Sequence, residues 1–132
     1  MTYAIAWLTT ALTFLVVDAI WLSQMVGRIY RPYIGPIMAE RVDVAAAGAF
    51  YVIYTLGVTF LAVSPALEKN SLVQALVSGA VVGLVAYATY DLTNQATLKV
   101  WDIRLTLADM AWGAFATALA SGAAYLATSR LS

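Results

Sequence analysis

The chain has 132 residues, of which 63% are hydrophobic and 11% charged, and its seven basic residues cancel its seven acidic ones. Soluble domains carry about 25% charged residues, so this composition cannot clothe a water-facing surface and points to a lipid-facing one. With no net charge nothing points to nucleic acid as a partner. The absence of both cysteine and histidine removes disulfides, iron–sulfur clusters, histidine-ligated haem and the usual zinc and copper sites. No cofactor and no metal centre is implied, although carboxylates can in general hold hard cations.

Four apolar runs follow in chain order, over residues 3–25, 44–63, 72–98 and 105–127. Each holds about 20 residues or more, enough for a helix to cross a hydrocarbon layer about 30 Å thick. They lack two-residue alternation, so helices are expected rather than a barrel. The fold class expected is an all-α membrane protein, one domain of four transmembrane helices in a compact bundle. The first run lacks Lys and Arg, and Asp18 stands where a signal peptide would need small residues for cleavage, so it reads as a retained span.

The first connection is the longest and contains Arg31-Pro32 and Gly35-Pro36. Proline suits the first turn of a helix, so an interfacial helix leading into the second span is expected to start near Pro36, beside Tyr30 and Tyr33. Ser64-Pro65 closes the second run. Gly79 and Gly83 on the third helix, and Gly113 with many alanines on the fourth, permit close backbone approach.

Arg28, Arg31, Arg41, Lys99 and Arg104 lie on the side of loops one and three, against Lys69 and Arg130 on the other. The positive-inside bias then puts loops one and three in the cytoplasm and both termini outside.

The chemistry-bearing feature is a set of three aspartates inside the spans. Asp18, Asp91 and Asp109 lie roughly 8–11 Å in from the side of loops one and three, at ~1.5 Å rise per residue. Helices one and three run one way and helix four returns, so the three carboxylates share a layer. An ionisable group at membrane depth costs about 2.5–3.5 kcal/mol and faces a bundle interior or a wet cavity.

Tyr87, Asp91 and Asn94 make one face of helix three, bordered by Tyr90. Asp18 and Trp21 lie on a stripe of helix one, Asp109 and Trp112 on one of helix four, while helix two brings Tyr51 and Tyr54 to similar depth. A one-sided pocket is expected, with Asp18, Asp91 and Asp109 as candidate catalytic acids and bases. Trp21, Tyr51, Tyr54, Tyr87, Tyr90, Asn94 and Trp112 are its candidate substrate-binding residues. Each acid also has a plainer reading: Asp109 complements the start of its helix, Asp18 anchors a hydrogen bond, and the tryptophans fill space.

The segments YDLTNQATLKVWD (Tyr90 to Asp102), DMAWG (Asp109 to Gly113) and DAIWL (Asp18 to Leu22) resemble those of a family of small bacterial predicted membrane proteins of unknown function. The resemblance covers essentially the whole chain. It implies a four-span inner-membrane protein and leans toward work on lipids, without an activity.

Three functional readings remain open. The favoured one is binding or modification of a lipid-like substrate by aspartate acid–base chemistry, because crowded carboxylates repel and leave one acid and one base in a single site. The others are a non-catalytic subunit of a membrane complex and a small proton-coupled transporter. Membrane lipid is the partner expected, with a homo-oligomer or membrane-complex partner also open.

Overall fold

The computed structural model describes residues 1–132, and every regular element is helical. Four helices are long and apolar enough to cross a membrane: α1 (Thr2–Ile37), α2 (Val44–Lys69), α3 (Leu72–Thr97) and α4 (Ile103–Leu131). They run alternately up and down, as short connections require.

Two helices outrun their apolar stretches. α1 continues through a π turn, Val26–Tyr30, and a short helical stretch, Arg31–Ile34, before ending in a 3₁₀ turn at Gly35–Ile37. Pro36 therefore closes the first helix, and α2 opens later, at Val44. The reason is capping: the Asp43 carboxylate accepts a hydrogen bond from the Ala46 N–H at 3.0 Å, which satisfies an otherwise orphaned donor. Likewise α2 does not stop at Ser64-Pro65. A second π turn, Thr59–Val63, immediately precedes Ser64-Pro65, where the helix must absorb a missing N–H and a bulky ring.

The α2–α3 turn is tight. Asn70 adopts a left-handed conformation, φ 50°, which asparagine tolerates better than most residues. Ser71 then caps α3 through the Gln74 N–H, at 3.0 Å. Asp102 caps α4, accepting from the Arg104 N–H at 2.8 Å.

The bundle is arranged inside out relative to a soluble protein. Leucine, valine, isoleucine and phenylalanine are exposed along all four helices, whereas the buried residues are mainly alanine, threonine, glycine, serine and the three intramembrane aspartates. Lipid can solvate the large side chains, so the interior is selected for close approach and hydrogen bonding. Helix α4 is the hub and packs along both α1 and α3. Its buried positions, from Leu105 and Asp109 through Gly113 and Thr117 to Ala124 and Thr128, recur at three- and four-residue intervals.

The α3–α4 contact sets the register. A methyl group on Gly79 would lie 2.5 Å from Ser121 Oγ and 2.8 Å from the Thr117 carbonyl; one on Gly83 would strike the Gly113 carbonyl. Gly113 in turn lies against the ring of Tyr87. Each step of four residues on α3 matches a step of four back along α4. Continued by one turn, this places Asp91 opposite Asp109.

Helix α2 leans on α1 with its N-terminal half and reaches α3 mainly through its π turn. It therefore diverges from α3 toward Val44, and a cleft opens between them on the side of loops one and three.

Two outcomes are expected. Gly83→Ala should destabilise the protein in detergent by about 1–3 kcal/mol through overpacking, whereas Gly48→Ala, whose added methyl meets nothing within 4 Å, should not; equal thermal midpoints would contradict this register. The Arg104 N–H and guanidinium hold the Asp102 carboxyl below the usual aspartate range. A group with a lowered folded-state value stabilises above its unfolded value, near pH 3.9, and ceases to as pH falls through the folded one. The advantage of the wild type over Asp102→Asn in thermal unfolding should therefore be constant near neutrality and shrink only on acidification below about pH 4.

Candidate functional site

The three intramembrane carboxylates are all interior: Asp18 is 7% exposed, Asp109 4% and Asp91 0%. Their hydrogen-bonding environments differ sharply.

Asp18, on α1, is fully engaged. Its Oδ1 accepts from Trp112 Nε1 of α4 at 3.0 Å and its Oδ2 from the Tyr51 hydroxyl of α2 at 2.5 Å. Asp109, on α4, accepts from the Tyr30 hydroxyl. Tyr30 in turn accepts from Trp21 Nε1 at 2.8 Å. Trp21 and Trp112 stack face to face, with centroids 4.5 Å apart and planes at 8°.

The result is a reciprocal brace. Both helices carry Asp-x-x-Trp, at Asp18/Trp21 and at Asp109/Trp112, and each tryptophan serves the acid of the other helix, directly for Asp18 and through Tyr30 for Asp109. In a layer without competing water, such donors are what permit a carboxylate to be buried. The π turn contributes here: by inserting an extra residue it re-phases α1 beyond Val26 and directs Tyr30 toward Asp109.

Asp91 lacks any such support. Neither of its oxygens has a hydrogen-bond donor in the protein. Asp109 is the ionisable group that the α3–α4 register brings opposite it.

Asp18 and Asp109 line a common cavity of about 320 Å³ with Leu22, Tyr30, Phe50, Ala86, Tyr87 and Tyr90. Of the residues that line it, Leu22 of α1, Phe50 of α2 and Tyr90 of α3 are exposed on the outside of the bundle. A second cavity of about 440 Å³ adjoins it toward the loops, sharing Leu22, Tyr30 and Tyr90 and including Arg41, Asn94 and Trp101.

The expected site residues therefore fall into groups. Asp18, Asp109, Tyr87 and Tyr90 share the first cavity, Asn94 and Tyr90 line the second, and Asp91 lines neither. Tyr51, Trp21 and Trp112 hold the acids without lining either cavity, and Tyr54 bonds Thr117 Oγ1 at 2.7 Å, among the rings of Phe14, Phe50 and Tyr87. No three acids converge closely enough to hold a metal ion.

Tyr30, Leu22, Phe50 and Ala86 are cavity residues that sequence reasoning did not select. For Tyr30 the Arg31-Pro32 and Gly35-Pro36 signals suggested a loop, and one unbroken helical phase from Trp21 would not have brought it inward. Phe50 carries a weak signal, one residue before Tyr51. Leu22 and Ala86 carry none.

Removal of single donors tests the brace. Tyr51→Phe should cost about 0.6 kcal/mol, the mean for interhelical bonds in membranes, because Asp18 keeps Trp112. Tyr30→Phe should cost more, about 1–3 kcal/mol, because Asp109 loses its protein donor. Unfolding titrations in mixed detergent micelles that rank the two the other way would refute this hierarchy.

No curated protein and no solved structure matches the chain. A four-span helical bundle and the match of residues 3–126 to the family described as "Predicted membrane protein (DUF2177)" agree, and the chain belongs to that family.

Proposed function

We propose that this integral membrane protein admits a lipid-like molecule sideways from the bilayer and acts on it by acid–base chemistry at Asp18 and Asp109. One observation carries the reading: two buried carboxylates line a cavity that also includes Leu22, Phe50 and Tyr90, exposed on the outside of an apolar bundle where lipid would meet them. A water-soluble substrate gains nothing from such an entrance. A molecule already dissolved in the hydrocarbon layer reaches the acids without crossing a polar barrier.

The donor sets support different roles. Asp18, held by Trp112 and Tyr51, suits a fixed carboxylate that orients or accepts a proton; Asp109, held by a single bond from Tyr30, suits the group that exchanges a proton with a ligand. Tyr87 and Tyr90 supply polarisable walls with a hydroxyl each. Protonation, hydration or isomerisation at a double bond, or cleavage of an ether, falls within this chemistry; thiol redox chemistry does not, for lack of cysteine.

The excess of Arg and Lys on loops one and three supports a cytoplasmic position for that side of a bacterial inner membrane. On that orientation the cavity opens into the cytoplasmic leaflet.

The test is lipid profiling of a deletion strain complemented with wild type, Asp18→Asn or Asp109→Asn. The wild type should alter at least one lipid species, and Asp109→Asn should slow the change by about 100-fold or more, the usual scale for a lost general acid or base. A photoreactive lipid should label wild type and Asp109→Asn alike at Leu22 or Tyr90. An unchanged lipid profile together with no labelling at the cleft would overturn the proposal.

A further inference from the structure

Asp91 is the group that the lipid-facing cavity does not use. It is fully buried, both its oxygens lack donors, and one turn further along α3 the Gln95 Oε1 is likewise buried without a donor. Across the helix pair stands Asp109, whose Oδ1 is taken by the Tyr30 hydroxyl and whose other oxygen accepts no protein hydrogen bond. The layer thus presents an excess of acceptors at one spot.

The ionisable groups around it offer no cation. Asp109 of α4 and Tyr90 of α3 lie against Asp91 itself, and Asp18, Tyr30 and Tyr54 against the neighbouring Tyr87. The ion pair of the structure, Arg104 with Asp102, sits at the start of α4 with the Arg104 side chain exposed. Two adjacent buried carboxylates with no counter-charge repel each other more strongly than they would in water. Something positive must stand between them, and a proton is the smallest species that two facing carboxyl groups can share.

We propose that Asp91 and Asp109 form a carboxyl–carboxylate pair holding one exchangeable proton, with Asp91 as its store and Asp109 as the member that presents it to the cavity. The Asp91 O–H donates to the oxygen of Asp109 not occupied by Tyr30. Delivery moves the proton from Asp91 to Asp109 and on to an acceptor in the cavity. The pair is then doubly ionised, a state the hydrocarbon layer disfavours, and it takes a proton back. Asp91 is in this sense a positioning residue, acting through Asp109.

The inference stands independently of the lipid reading, and its test needs no substrate. Infrared spectroscopy of the purified protein in nanodiscs, with and without ¹³C-aspartate, should show one protonated aspartate at neutral pH, identified by its isotope shift and its response to deuterium exchange. Asp91→Asn should abolish the band. Asp109→Asn should keep it but move it to higher frequency, since the strong acceptor is gone, and Asp18→Asn should leave it in place. A wild-type spectrum without protonated aspartate overturns the proposal, whatever the variants do. So does a band that persists in Asp91→Asn, or one that disappears when sodium chloride is added at constant pH, which would put a cation in the proton's place. A protonated pair in a protein that labels with no lipid would sink the lipid reading and leave this one intact.

Discussion

A carboxylate can be buried in a hydrocarbon layer only if donors come with it, and most of this fold can be understood as the delivery of those donors. Asp18 recruits Tyr51 from α2 and Trp112 from α4, while Asp109 recruits Tyr30 from the far end of α1, itself steadied by Trp21. Three helices are thereby tied together in one layer. The tryptophan stack between α1 and α4 lies at the centre of this arrangement and holds both indole N–H groups where the opposite helix needs them.

The fourth tie is steric. Between α3 and α4 small residues replace hydrogen bonds: Gly79, Gly83 and Gly113 bring the backbones so close that any side chain there collides with the partner helix. Hydrophobic burial cannot drive helix association in lipid, so the register of this contact depends on shape. That register brings Asp91 to Asp109, which makes a packing feature responsible for the most unusual electrostatic juxtaposition in the protein. The splay of α2 away from α3 then leaves an opening beside these acids.

Much of this was legible in the amino-acid sequence, for identifiable reasons. The four spans follow from run length and composition, since few other arrangements satisfy every backbone group in lipid. The common layer of Asp18, Asp91 and Asp109 follows from counting residues along alternating helices. What could not be read was phase. Two π turns extend α1 and α2 past prolines that mark ends in ordinary helices, so the segment around Tyr30 read as a connection although it supplies a donor to the acidic layer. Nor does spacing reveal which acid receives which donor. Asp18 and Asp91 look alike in sequence, yet one accepts two hydrogen bonds and the other none.

The π turn at Val26–Tyr30 stores one residue more than a regular helix would need over the same length. Returning that residue to the α-helical ladder would advance everything beyond it by about 1.5 Å and rotate it by roughly 100°. Such a screw motion would swing the Tyr30 phenol out of the acidic layer and leave α1 otherwise whole. The hold of α1 on Asp109 therefore rests on the phase of a single residue.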